Sequence, residues 1–202
     1  LTACAQGKPD STPPKEKVAA HETDNAVTVS TAAELIAAIA PDTHILLKPG
    51  DYNFSALTED EISECGGYVN PDSLANGELT IYNAHGFTIE AEESGSVRFI
   101  TENGYADVVT LTLCDGAVLK GLVIGHEIEK GECDADVLRI DTCKDVTVED
   151  CGLFGCGADG IWAEKADRLT VTKTDIYECT SSIFSLVDTG EAVFDGLSLI
   201  HI

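Results

Sequence analysis

A right-handed parallel β-helix is the fold this sequence predicts, and three observations predict it. Short alternating apolar segments begin at Leu79, Val109, Leu138, Ile161 and Phe184, so successive copies are offset by 30, 29, 23 and 23 residues. Each copy carries a second alternating pair: Phe87/Ile89, Ala117/Leu119, Val146/Val148, Leu169/Val171 and Ala192/Phe194. Three copies continue into a third pair, Leu122/Ile124, Cys151/Leu153 and Thr174/Ile176. Alternation turns one side chain inward and the next toward water, and segments this short, broken by turns, are strands. A coil of two or three such strands cannot bury its apolar face alone, so it stacks on its neighbours.

The elements follow in order. Leu1-Thr2-Ala3-Cys4 resembles a bacterial lipobox, which implies a diacylglycerol on the Cys4 sulfur. Residues 5–28 hold Gly7, Pro9, Pro13, Pro14, Lys15 and Glu16, a polar stretch suited to a tether rather than a core. The helical domain is expected over 29–196. Thr31 and Glu34 read as a capping box opening a short helix with Leu35, Ile36 and Ile39 apolar, stopped at Pro41-Asp42. A helix here covers the first rung, whose strand edges otherwise recruit other chains. Ile45 to Tyr52 reads as a strand and a turn, and 59–76 as an insertion. The longer steps predict loops near Gly125 to Cys133 and between Ala91 and Asp107. Residues 197–202 match the translation of a transposon-end sequencing adaptor, so read-through is expected there and the natural chain is expected to continue past Gly196.

Charge narrows the function. Lys and Arg number 12 against 36 Asp and Glu, for a net charge of −24. Such a surface repels phosphate backbones, which argues against nucleic acid, and the same repulsion bears on polyanionic sugars. The membrane is expected to be reached only through the lipid.

The order Ala33-Glu34-Leu35, then Ile45-Leu46-Leu47-Lys48-Pro49-Gly50-Asp51-Tyr52, then repeated coils, resembles the right-handed β-helix repeat proteins of the pectate-lyase-like superfamily. Gly125-His126, Gly131-Glu132-Cys133, Gly155-Cys156-Gly157 and Ile176 to Thr180 are similar to a bacterial surface subgroup of these repeats. The resemblance implies lyase, hydrolase or epimerase chemistry on polysaccharides. A hydrolase of this superfamily calls for Asn-Thr-Asp, Asp-Asp and Gly-His-Gly segments, none of which is present. A lyase needs a base and a cation to neutralise the substrate carboxylate, a role calcium fills.

Register supplies the candidate site residues. Asp107, Asp136 and Asp159 align just before the first strand of three coils, as a calcium-holding ladder or as turn-forming residues. Arg139 and Trp162 face outward one coil apart, placed for a cation–π pair and for gripping a sugar ring, or shielded by a loop. Arg139, Lys144 and Lys165 are the basic candidates. His126 and Glu127 fall on the extruded loop, where they are functional or simply solvated. Cys133, Cys156 and Cys179 sit 23 residues apart, and Cys114 aligns with Cys143. Strand spacing exceeds disulfide reach, so buried free thiols are expected, with a metal site the weaker alternative. Cys65 is left open as a partner for a loop thiol such as Cys133.

The reading is a monomeric, lipid-anchored, extracytoplasmic β-helix on a bacterial surface that binds glycans or is structural. The first alternative is a calcium-assisted polysaccharide lyase or related carbohydrate-active enzyme. The second is an adhesin-like module with a protein partner.

Overall fold

A computed structural model describes residues 26–129, 132–155 and 157–200. Cys4, the tether up to residue 25, Gly131, Cys156 and the last two residues lie outside the described residues. The chain opens with β1 (Val27–Val29), α1 (Ala32–Ala38), β2 (His44–Leu47) and β3 (Gly50–Asn53), followed by α2 (Glu59–Ser63) and α3 (Pro71–Leu74). Five rungs of three strands follow. They are β4 (Leu79–Tyr82), β5 (Thr88–Ala91) and β6 (Val97–Thr101), then β7 (Val109–Thr112), β8 (Val118–Lys120) and β9 (Leu122–His126). Next come β10 (Leu138–Asp141), β11 (Lys144–Glu149) and β12 (Gly152–Phe154), then β13 (Asp159–Glu164), β14 (Asp167–Thr172) and β15 (Asp175–Tyr177). The last rung is β16 (Ser182–Val187), β17 (Ala192–Asp195) and β18 (Ser198–Ile200).

Strands stack by position in the rung, and every pairing between named strands is parallel. The first strands form a five-stranded sheet from β4 to β16, the second a seven-stranded sheet from β1 to β17, and the third a six-stranded sheet from β3 to β18. This is the right-handed parallel β-helix expected, with its short N-terminal capping helix. The register matches the repeats: Leu79 pairs with Val109, Val109 with Leu138, Leu138 with Ile161, and Ile161 with Phe184. Inward residues such as Leu79, Leu119 and Leu153 are fully buried, each worth about 1.5–3 kcal/mol.

The first two corners of a rung are tight. After the five-stranded sheet the chain turns on one left-handed residue, Asn83, Leu113, Thr142, Lys165 or Asp188, with φ between 48° and 54°. After the seven-stranded sheet it turns on Gly121, Asp150, Lys173 or Gly196, also at positive φ. The third corner absorbs the variation in length: 54–78, 102–108, 127–137, 155–158 and 178–181.

The starting end is closed. The Thr31 hydroxyl accepts the Glu34 N–H at 3.1 Å, while the Glu34 carboxylate accepts the Ser30 N–H at 2.7 Å, which holds its pKa below the ordinary value. Ala32, Leu35 and Ile36 are thereby buried over the first rung. Gly66 packs on the far end of α1, donating its N–H to the Ile36 carbonyl at 2.9 Å; a methyl at Gly66 would sit 3.2 Å from the Ile36 and Ile39 carbonyl oxygens. The free edge of β4 is covered by an antiparallel segment in which Val69 pairs with Ile81. Inside, Tyr52 and Phe54 pack on Phe99 with centroids 5.7 and 5.4 Å away. The Tyr52 hydroxyl donates to the Val29 and Lys48 carbonyls, and burial raises its pKa to about 12.

Three expectations need correction. The segment between Ala91 and Asp107 is not one loop, because Val97–Thr101 is β6, its apolar pattern hidden among Arg98 and Thr101. Ile45 to Tyr52 holds two strands, separated by a corner at Lys48-Pro49. Val27 and Thr28, assigned to the tether, belong to β1 and pair with Ile45 and Leu46. Within the segment 197–202, Ser198 to Ile200 form β18, which pairs with Asp175 to Tyr177 on β15; a strand there does not bear on the read-through expectation.

Candidate functional site

The five-stranded sheet turns Thr80, Thr110, Arg139, Trp162 and Ser185 outward in one register column. Its centre is a planar stack, with the Arg139 guanidinium carbon 3.7 Å from the Trp162 ring centroid. The pair predicted from sequence is therefore formed. Arg139 Nη1 lies 3.5 Å from Asp136 Oδ2 and 4.0 Å from Asp107 Oδ2, which hold it over the indole. On the other side of the indole, the next rung offers only the small side chain of Ser185. Ser185 Oγ lies 3.1 Å from Ser182 Oγ, and Ser182 donates to Asp159 Oδ1. Thr110, one rung before Arg139, is 6% exposed and its Oγ1 has no partner among the described residues.

Asp107, Asp136 and Asp159 form a ladder with a structural task. Asp107 Oδ1 accepts the Asp136 N–H at 2.8 Å, and Asp136 Oδ1 accepts the Asp159 N–H at 3.0 Å. Asp107 and Asp136 thus each satisfy a backbone donor on the following rung, while Asp159 accepts the Ser182 hydroxyl there. Among the described residues no group of three or more His, Cys, Asp or Glu is arranged to hold a metal ion. The three Asp run along the helix axis, one per rung, instead of converging on a point. Burial pushes the Asp107 carboxyl up to about 6, reinforced by the Asp136 and Glu78 charges and opposed by the Asp136 N–H and Arg139. Asp136 is raised too, chiefly by burial.

His126 and Glu127 do not join this cluster. His126 is the last residue of β9, not a solvated loop residue: it is 4% exposed and Nε2 lies 2.9 Å from the Ala106 carbonyl. Its Nδ1 has no partner among the described residues. Burial holds the ring below its ordinary pKa, against the Ala106 and Gly155 backbones. It braces the corner that precedes Asp107. Glu127 lies on the outward side of the six-stranded sheet and pairs with Arg98. Lys144 opens β11, and Lys165 pairs with Glu164 at 2.7 Å.

Sequence reasoning missed a second cluster around Arg98. Arg98 Nη1 lies 3.4 Å from Asp51, Nη2 meets Glu127, and the guanidinium carbon is 6.0 Å from the Phe154 centroid. Phe154 stacks on Tyr177 with centroids 5.8 Å apart and planes 14° apart. Phe154 leans over Gly125, where a methyl would meet the ring at 2.4 Å. Phe154 and Tyr177 occur 23 residues apart, a signal the repeat register already contained.

The cysteines divide. Cys65, Cys114, Cys133, Cys143 and Cys151 are free. Cys114 donates its N–H to Cys143 Sγ at 3.3 Å, as the predicted stack requires. Cys179, expected free, is disulfide-bonded. It lies in the corner 178–181, where strand spacing no longer separates the side chains, so the spacing argument does not reach it.

No protein-family model matches the chain, and no curated protein matches it. Among solved structures it is similar to a pectin methylesterase mutant in complex with hexasaccharide IV. The TM-score is 0.47 at 14% identity, over 78% of this chain and 55% of that one. The chain thus spans just over half the length of that structure, and no residue role passes across so slight a likeness.

Proposed function

We propose that the outward face of the five-stranded sheet binds carbohydrate, with Trp162 as its platform. One observation carries this: Arg139 holds one face of the indole, while the other lies above Ser185, beside the Ser182 and Asp159 oxygens. A pyranose ring pairs an apolar face with an equatorial rim of hydroxyls, and an aromatic face edged by hydrogen-bonding groups complements both. Fixing Arg139 and Trp162 in advance removes part of the ordering cost of binding. A glycan array with the wild-type protein and Trp162→Ala tests the reading. Binding that the substitution abolishes supports it. Binding that Trp162→Ala leaves intact, or capture of proteins and no glycan, removes it.

A second reading is carbohydrate-active chemistry, favoured by Asp107, whose carboxyl at about 6 sits beside Asp136 and Arg139. Incubation with acidic and neutral polysaccharides, with and without calcium, following unsaturated products in the ultraviolet, tests it. Absence of product in every arm removes it.

The setting we propose is extracytoplasmic, with Cys4 as the lipid-bearing residue. The Cys179 disulfide supports an oxidising compartment. Expression with the chain's natural leader, followed by fractionation of wild type and Cys4→Ser, tests this; equal membrane recovery of both would sink it.

A further inference from the structure

Resting on the glycan reading, we propose that the sugar seated on Trp162 carries a free amine: a hexosamine unit, not a uronic acid and not its N-acetylated counterpart. The direction of the hydrogen bonds beside the indole comes first. Ser182 has one hydroxyl proton, and it goes to the Asp159 carboxylate. In the contact between Ser182 and Ser185, Ser185 must therefore be the donor. That uses the only proton Ser185 has, so its oxygen is left with acceptor lone pairs alone beside the Trp162 register position. Glu164, two residues beyond Trp162 on the same outward side and about 7 Å along the strand, is another acceptor. A ligand here must bring donors. The hydroxyls of any sugar supply some; of the substituents that differ, a uronate carboxylate adds none, an acetamide nitrogen adds one, and an ammonium adds three.

Charge points the same way. Asp107, Asp136, Asp141, Asp159 and Glu164 lie on this face, against Arg139 and Lys165. Both cations are already engaged, Arg139 by Asp136 and Asp107, and Lys165 by Glu164. The uncompensated charge is negative, as is the whole chain at −24. A polyuronate approaching Trp162 meets like charge, whereas a sugar ammonium is attracted and finds acceptors in place.

The chain holds a single tryptophan, so its fluorescence reports this surface directly. The probes are the hexamers of glucosamine, N-acetylglucosamine and galacturonic acid, with hexalysine as a cation lacking a sugar ring. The glucosamine hexamer is expected to shift the emission and to bind about tenfold more tightly than the acetylated hexamer, weakening several-fold as salt is raised. Glu164→Gln and Ser185→Ala, checked for folding by circular dichroism, are expected to narrow that preference. Equal affinity for the acetylated hexamer, tighter binding of the galacturonate hexamer, or equal binding of hexalysine would each overturn the amine assignment. The first two leave the glycan reading standing. Failure of all three sugars here and of every glycan on the array removes the glycan reading itself, and the amine assignment with it.

Discussion

Arg139 and Arg98 are near twins that end differently. Each faces outward from its sheet, lies between two carboxylates and stacks on an aromatic ring one or two rungs further on. Beyond Trp162 the column carries the small side chain of Ser185. Beyond Phe154 the column carries Tyr177, while on the near side the ring settles over Gly125. The same cation–π chemistry is the proposed ligand surface in one place and a closed ladder in the other. What decides is the size of the residue at the matching register position, so function on a solenoid flank is set by neighbours in space 23 or more residues away in sequence.

Four substitutions break or sharpen this contrast, beginning with the largest effect. Trp162→Ala is expected to cost about 2–4 kcal/mol of glycan binding, roughly 30- to 1000-fold, by titration calorimetry, with melting little changed. A wild-type affinity in the mutant would make the two clusters equivalent. Next, Asp107→Asn tests the charge beneath Arg139. The carboxyl is raised from 3.8 to about 6, so the stability it contributes is complete below 3.8 and lost as pH rises through about 6. Asparagine keeps the oxygen that accepts the Asp136 N–H and avoids that loss. Denaturant melts are expected to show the variant more stable by up to about 3 kcal/mol above about 6, with no difference below 3.8. A variant less stable above about 6, yet unchanged below 3.8, would mean the Arg139 contact outweighs burial.

Gly125→Ala probes the closed stack. The methyl meets the Phe154 ring at 2.4 Å and its carbonyl oxygen at 2.5 Å, so a loss of about 1–3 kcal/mol is expected in denaturant melts, with sugar binding unaffected. The smallest effect belongs to Arg98→Ala. Its partners are half-exposed, so less than about 1 kcal/mol of stability and no change in glycan binding are expected. Loss of binding in Arg98→Ala would show that the second cluster also holds ligand.

Much of the fold was legible because inward positions repeat. Leu138, Ile161 and Phe184 fell into register from spacing alone, and so did the Arg139–Trp162 contact. Val97–Thr101 escaped because Arg98, an outward residue, breaks its apolar appearance. The Asp ladder was aligned correctly, but spacing does not show that Asp107 and Asp136 each spend an oxygen on the backbone N–H of the next rung. His126 was misplaced because a residue at the end of β9 and one on the adjoining loop look alike in sequence. Its burial comes from the corner carrying Ala106, which lies 20 residues earlier.

The uneven corners have a consequence for how such a molecule changes over time. Two of the three turns in most rungs are short and carry a left-handed residue, so an added residue there would slide every outward side chain to the wrong face. The third corner already tolerates lengths from 155–158 to 54–78 and leads directly into the strands bearing Arg139 and Trp162. Evolvability is thereby concentrated at the rim of the Trp162 surface. An engineer grafting recognition loops would insert them at 155–158 or 178–181, changing specificity while leaving the scaffold's register untouched.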